Sequence, residues 1–207
     1  IVTKLRVNSF IATLGTGGAA TGLVLVLTGG SNITGFPSQL QTSFGVATVG
    51  GVLPVQTLIV LVICCVLWYV MRRTRLGLHA VALGSSPAAV RRSGIASGAV
   101  LIRLFVLVGS LAGLAGFFVM TRFSTTNIGG SQNAPLAAIA AAVIGGTSLF
   151  GGIATVGGSM IGALLPVILA SGLIVVGVPS FYQQIVVGLI LVLAVYIDQE
   201  RRSRRES

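Results

Sequence analysis

Apolar residues in this chain neither alternate nor keep to one helical stripe. They come in long runs separated by short polar or glycine-rich stretches. A helix that crosses a bilayer needs about 20 mostly apolar residues. Six runs meet or approach that length: Phe10–Thr28, Leu53–Met71, Ala99–Thr121, Pro135–Phe150, Thr155–Val178 and Tyr182–Ile197. The fourth and sixth are short, at about 16 residues, against the requirement of about 20. The fourth runs into GGTSLFGG, which predicts a broken or partly re-entrant helix.

Composition strengthens this reading. Of 207 residues, 54% are hydrophobic and 8% charged, against about 25% charged in soluble domains. Mean hydropathy is +1.02. Between Phe10 and Ile197 there is no Asp or Glu; Asp198, Glu200 and Glu206 all lie near the end of the chain. The pattern predicts an all-α polytopic membrane protein of about six transmembrane helices.

The net charge of +10 then orients the spans rather than marking a nucleic-acid surface. Lys4 and Arg6 precede the first span, and residues 29–52 contain no Lys or Arg. Arg72, Arg73, Arg75, Arg91 and Arg92 follow the second span; Arg122 stands alone after the third; Arg201, Arg202, Arg204 and Arg205 follow the sixth. Basic residues concentrate on the cytoplasmic side, so both termini of this chain are expected in the cytoplasm. Loop 29–52 is then expected outside, with Asn32, Gln39 and Gln41 in it and Asn127, Gln132 and Asn133 in the next outer loop. Arg103 falls near the cytoplasmic end of the third span, where its head can snorkel to the interface. The basic tail, 199–207, reads as an anchor on anionic lipid.

Candidate chemistry is sparse. Cys64 and Cys65 are adjacent in an apolar run, and neighbours in one helix point apart. His79 sits in a loop. There is no GxxxxGK[ST] phosphate loop, no nucleophile–base set and no carboxylate pair. The chain reads as non-catalytic, with no cofactor of its own. Ion-coupled carriers usually place ionisable groups within the membrane, and no span here has one at its centre. Glycine spaced four apart occurs as Gly18/Gly22, Gly109/Gly113 and Gly158/Gly162. Such pairs allow helices to approach closely in lipid, and three of them predict a tight bundle.

One stretch between the second and third spans has its own punctuation: LGSSPAAVRRSGIAS, residues 83–97. Ser86 is a favoured N-cap, Pro87 suits the first helical position and Gly94 suits a left-handed C-terminal cap. Arg91 and Arg92 fall in the last turn, where the helix dipole favours cations. The predicted helix, 87–93, is too short to persist alone in water and needs a surface to dock on. That surface is either a soluble motor or the membrane interface.

Two segments carry a resemblance. GLHAVALGSSPAAVRRSGI resembles the cytoplasmic coupling loop of ABC-importer permeases of the ribose/xylose type, a branch of the branched-chain amino acid and sugar permease family. Gly84, Pro87, Ala89, Arg91, Ser93, Gly94 and Ile95 match that loop. AAIAAAVIGGTSLFGGIATVGGSMIGALL is similar to a second family segment, through Ala138, Ile139, Ala140, Ala141, Ile144, Gly145, Gly146, Thr147, Ser148, Leu149, Gly151, Gly152 and Thr155. Three positions depart from the family's habit: Ala88, where a Glu is frequent; Ala137, near a frequent acid; and Ile153, near a frequent basic residue.

The resemblance implies a type II ABC-importer-like bundle in a bacterial cytoplasmic (inner) membrane. Residues 1–198 would be a transmembrane permease domain, the C-terminal portion of a longer permease, followed by the tail 199–207. It implies an ATPase-coupling helix made of Gly84, Ser86, Pro87, Ala88, Ala89, Arg91, Arg92, Ser93, Gly94 and Ile95. It implies an ABC ATPase that binds the ATP, an external sugar-binding protein and a second permease subunit as partners. The cargo would be a monosaccharide or related sugar. Gly145, Gly146, Thr147, Ser148, Gly151 and Gly152 are candidates for the translocation path; the two hydroxyl residues could equally repair backbone hydrogen bonds at a helix break. The competing readings are a branched-chain amino acid permease and an ion-coupled secondary transporter.

Overall fold

The computed structural model describes residues 9–51, 53–126, 128, 134–148, 151–179, 182, 185–186, 188–189 and 196. Helix dominates. In chain order the elements are α1 (Ser9–Thr28), α2 (Ser38–Leu40) running into a π-helical turn (Gln41–Gly45), β1 (Thr48–Val49), β2 (Leu53–Pro54), α3 (Val55–Arg73), α4 (Arg75–Ser85), α5 (Pro87–Arg92), α6 (Ser97–Phe123), α7 (Ala134–Ile144) and α8 (Val156–Val175). The two strands form a small antiparallel hairpin.

Four of these helices, α1, α3, α6 and α8, are long and apolar enough to cross a membrane. They correspond to the first, second, third and fifth expected spans. Their large apolar side chains are widely exposed, Val26 by 81% and Val175 by 87%, as lipid-facing surface requires. At 27 residues, α6 is about 40 Å long, more than a hydrocarbon core of about 30 Å; such a helix tilts or projects beyond it. The sixth expected span, Tyr182–Ile197, falls largely outside the described residues, as do Lys4, Arg6 and the tail 199–207.

The fourth span is broken, as its run into GGTSLFGG predicts: α7 stops at Ile144 after 11 residues. That is about 16 Å, roughly half a bilayer core. The cause is local. Gly146 adopts φ +84°; its N–H donates to Val143 O at 2.9 Å, and Thr147 N–H donates to Ala142 O at 2.9 Å. These two bonds form the Schellman cap, which needs a left-handed residue. The same pair of bonds closes α5 at Gly94 and α8 at Gly177.

The chain divides into two compact units. The first is Ile1–Ile63 with Ala96–Ser131. Here Phe44 packs against Phe117 and Phe118, with ring centroids 5.7 and 5.9 Å away, and Gly45 lies against the Thr121 carbonyl so closely that a Cβ would strike it. Gln56 is buried; its Nε2 donates to Thr121 Oγ1 at 3.0 Å and Phe118 O at 3.2 Å. The loops after α1 and α6 are stitched together: Thr126 N–H donates to Ile33 O at 3.0 Å, Ile33 N–H donates to Thr126 Oγ1 at 2.8 Å, and Ile128 N–H donates to Asn32 Oδ1 at 3.3 Å.

The second unit is Cys64–Ile95 with Gln132–Ser207. Its centre is an antiparallel hairpin of α7 and α8, the most extensive helix pairing among the described residues. Ala140, Ala141 and Val143 of α7 are buried in it.

Candidate functional site

The expected short helix is present as α5, one residue shorter than predicted. Ser86 is extended (φ −153°, ψ 97°) and its Oγ accepts from Ala89 N–H at 3.3 Å; Pro87 opens the helix. At the other end Gly94, at φ +75°, turns the chain: Gly94 N–H donates to Arg91 O at 3.1 Å and Ile95 N–H to Val90 O at 3.3 Å. Ser93 becomes the C-cap, its Oγ donating to Ala89 O at 3.1 Å. Val90 alone is buried, at 5% exposure, and anchors the helix. Ala88, Ala89, Arg91 and Arg92 are exposed. A six-residue helix thus presents two cations at the end where the dipole supports them.

A second helix in the same connection was missed by the sequence reading. After α3, Thr74 breaks the run, its Oγ1 donating to Val70 O at 2.7 Å. Gly77 then passes so close to Met71 that a Cβ would run into the Met71 carbonyl. From this elbow α4 runs to Ser85 and packs against α5. The signal for α4 lay in Leu76, Ala80 and Leu83, spaced at i, i+4 and i+7, and all three are half-buried. Arg72 lies over the Trp68 ring at 5.3 Å.

The glycine-rich segment forms the turn between α7 and α8. Gly145 meets Gly158 and Ser159 of α8, and Gly162 meets Ala141, backbone against backbone. Of the three glycine pairs expected to pack, this one does. Among the described residues, no neighbouring atom lies within 4 Å of where a Cβ on Gly18, Gly22, Gly109 or Gly113 would stand, so the close packing seen among the described elements is that of α7 against α8. The spacing permits close approach but does not supply a partner.

Hydroxyls hold the break together. Thr147 Oγ1 accepts from Thr155 N–H at 3.1 Å and lies 3.1 Å from Ser159 Oγ. Thr155 Oγ1 donates to Gly145 O at 2.6 Å, and Ser159 Oγ donates to Thr155 O at 2.8 Å. Ser148 N–H reaches Ile153 O at 3.1 Å. These bonds satisfy backbone groups freed where the helix stops, the condition for irregular backbone at membrane depth. Gly151 and Gly152, at φ +88° and +82°, complete the turn beside Gly84. Ile153 is 45% exposed there.

Two groups of residues expected separately, 84–95 and 145–152, therefore meet. The polar residues of the outer-loop group are distributed otherwise: Asn32 is engaged by Ile128 N–H, Gln41 Nε2 reaches toward Arg122 O at 3.5 Å, and Asn127, Gln132 and Asn133 lie outside the described residues. Gln56, an amide inside an apolar run, was the visible clue to the buried contact with Thr121.

Residues 1–195 match the family described as the branched-chain amino acid transport system permease component. The chain belongs to this family. Among its relatives, the ribose import permease protein RbsC of Escherichia coli (strain K12) is 40% identical over 205 residues, covering 98% of this chain and 64% of the relative. RbsC of Bacillus subtilis (strain 168) is 35% identical, covering 97% and 62%. The D-allose transport system permease protein AlsC of Escherichia coli (strain K12) is 32% identical, covering 96% and 60%. The chain thus spans less than two thirds of the length of these curated relatives. No solved structure matches it. Family and helices together make this chain a multi-pass, predominantly helical membrane protein of a permease family.

Proposed function

We propose that the chain is the transmembrane permease part of an ATP-driven importer for a monosaccharide, with α5 as the helix that docks a soluble ABC ATPase. The observation that carries the reading is α5 itself: capped at both ends, anchored by Val90 and exposing Arg91 and Arg92. Arg72, Arg73, Arg75, Arg91 and Arg92 support a cytoplasmic side for this connection by the positive-inside rule, and the membrane of the reading is a bacterial inner membrane. With Ala88 in place of a frequent Glu, the two arginines carry the polar part of docking. ATP is bound by the ATPase, and the permease does no chemistry. It shifts between outward- and inward-open states as the ATPase dimer closes and opens. A second permease subunit and an external sugar-binding protein complete the assembly.

The names of the relatives support a sugar cargo: ribose and allose, with L-arabinose for the permease AraH of Azospirillum brasilense. The family description supports the second reading, a branched-chain amino acid. Uptake of labelled ribose that leucine does not compete establishes the first; uptake of labelled leucine that ribose does not compete establishes the second. ATP-independent uptake would favour an ion-coupled carrier.

The docking claim is tested by co-purification with a sugar-type ABC ATPase subunit in mild detergent. Replacing residues 87–93 by a Gly/Ser linker is expected to lower ATPase retention by about tenfold, the range for losing an interface anchor. Equal retention by both proteins would move docking away from α5.

A further inference from the structure

The joint between α4 and α5 meets the turn between α7 and α8 backbone against backbone at Gly84 and Gly151. A Cβ placed on Gly84 would lie 3.1 Å from the Gly152 nitrogen and 3.2 Å from the Gly151 Cα. One placed on Gly151 would strike the Gly84 carbonyl, and one on Gly152 would lie 3.5 Å from Ser85 Cβ. Glycine is a poor residue inside a helix, yet Gly84 occupies the last turn of α4. The approach of Gly151 and Gly152 accounts for it, since only glycine lets two backbones come this close.

We propose that this glycine contact is the transmission point of the permease: α5 and the α7–α8 hairpin move as one piece. The proposal rests on the reading of α5 as the ATPase-docking helix and adds where its motion goes. A contact between backbones has no side-chain torsions to absorb a displacement, and packed interiors pass strain on rather than yielding to it. From Gly151 and Gly152 the path continues through bonds already described. Ser148 N–H holds Ile153 O; Thr147 holds Thr155 and Ser159; Gly158 and Gly162 lock α8 onto Gly145 and Ala141. Displacing α5 therefore displaces a membrane-crossing helix that is distant from it in sequence.

The test uses the permease in complex with its ATPase in proteoliposomes. Gly151→Ala puts a Cβ onto the Gly84 carbonyl and wedges the two backbones apart from outside the docking group. The expected result is ATPase retention unchanged and ATP-driven uptake lowered by about tenfold, in the range for breaking a coupling network. Unchanged uptake in Gly151→Ala overturns the proposal, and so does loss of ATPase retention, which would make the contact a docking or folding element. Failure of the unaltered permease to retain the ATPase overturns the docking reading itself, and the proposal with it. A second measurement is independent of wedging. Ser85→Cys with Gly152→Cys, in a Cys64→Ala, Cys65→Ala background, places two Cβ atoms at disulfide spacing. Parts that already move together lose nothing when tied, so the disulfide is expected to form and uptake to persist. Uptake that stops on oxidation and returns on reduction, or a disulfide that does not form, overturns the proposal.

Discussion

In the α7–α8 hairpin, Gly158 and Gly162 lie so close to Gly145 and Ala141 that an added Cβ would strike backbone; in α1, Gly18 and Gly22 have the same spacing and, among the described residues, nothing within 4 Å of an added Cβ. Both helices are apolar and 20 residues long. The difference is the partner. Ala141 of α7 and Gly145 just past its end are small residues at the matching spacing, and a short hydrogen-bonded turn delivers them. α1 makes no extensive contact with any other described element. In lipid, apolar surface gives little reason for helices to associate, and close packing supplies the attraction instead. Paired small residues thus make a seam only where a second helix is brought to them.

The largest expected effect breaks that seam. Gly158→Val drives two methyl groups toward the Gly145 carbonyl and the Thr155 hydroxyl. Overpacking of this kind costs about 3 kcal/mol, and the rigid hairpin leaves little room to relax. Gly18→Val meets open space and should change stability by less than about 0.5 kcal/mol. Thermal unfolding of the two variants in the same mild detergent checks this. Equal losses would mean that the α1 face is engaged as firmly as the hairpin, and the contrast would fail.

How much of this was legible follows from the same physics. The ends of α1, α3 and α6 lie within two residues of the expected spans, because run length against bilayer thickness is a strong constraint. α5 was legible in Ser86, Pro87 and Gly94, since each residue type suits one cap position and few others. α4 was not, because Gly77 and Gly84 lower helix propensity in the very stretch where Leu76, Ala80 and Leu83 signal a helix. The stop at Gly146 was half-legible: the glycines announced a break, but the apolar run to Phe150 suggested a longer helix. The meeting of Gly84 with Gly151 and Gly152 was beyond reach, since glycine in a sequence does not disclose which backbone approaches it. Gln56 was passed over for a related reason, as an amide at the start of a span reads as interfacial until Thr121 is found beside it.

A middle-sized effect sharpens the comparison inside the hairpin. Gly146 and Gly157 flank the same turn with opposite demands. Gly146 is left-handed, at φ +84°, and Ala there should cost about 1–2 kcal/mol. Gly157 is helical in α8 with nothing within 4 Å of a Cβ, so Ala should stabilise by about 0.5–1 kcal/mol. Opposite shifts in unfolding temperature are the expected outcome. Two losses would place a neighbour against Gly157 in the assembled transporter.

The smallest effect concerns the hydroxyls. Thr147→Val keeps the shape and removes the oxygen shared by Thr155 N–H and Ser159 Oγ. Cross-helix hydrogen bonds in membranes average about 0.6 kcal/mol, because the unfolded chain in lipid also finds partners. The bond from Thr155 N–H raises the stake, since a backbone donor at membrane depth has no water to turn to, and a loss near 1 kcal/mol is expected. Among the described residues Thr21 in α1 donates to Gly17 O in its own helix, so Thr21→Val removes no link between described elements and should fall within about 0.5 kcal/mol of zero. A double-mutant cycle of Thr147→Val with Ser159→Ala separates the pairwise part. Coupling near zero, with Thr147→Val still costly, would assign the loss to the Thr155 amide, making Thr147 a cap for the start of α8 rather than a bridge across the break.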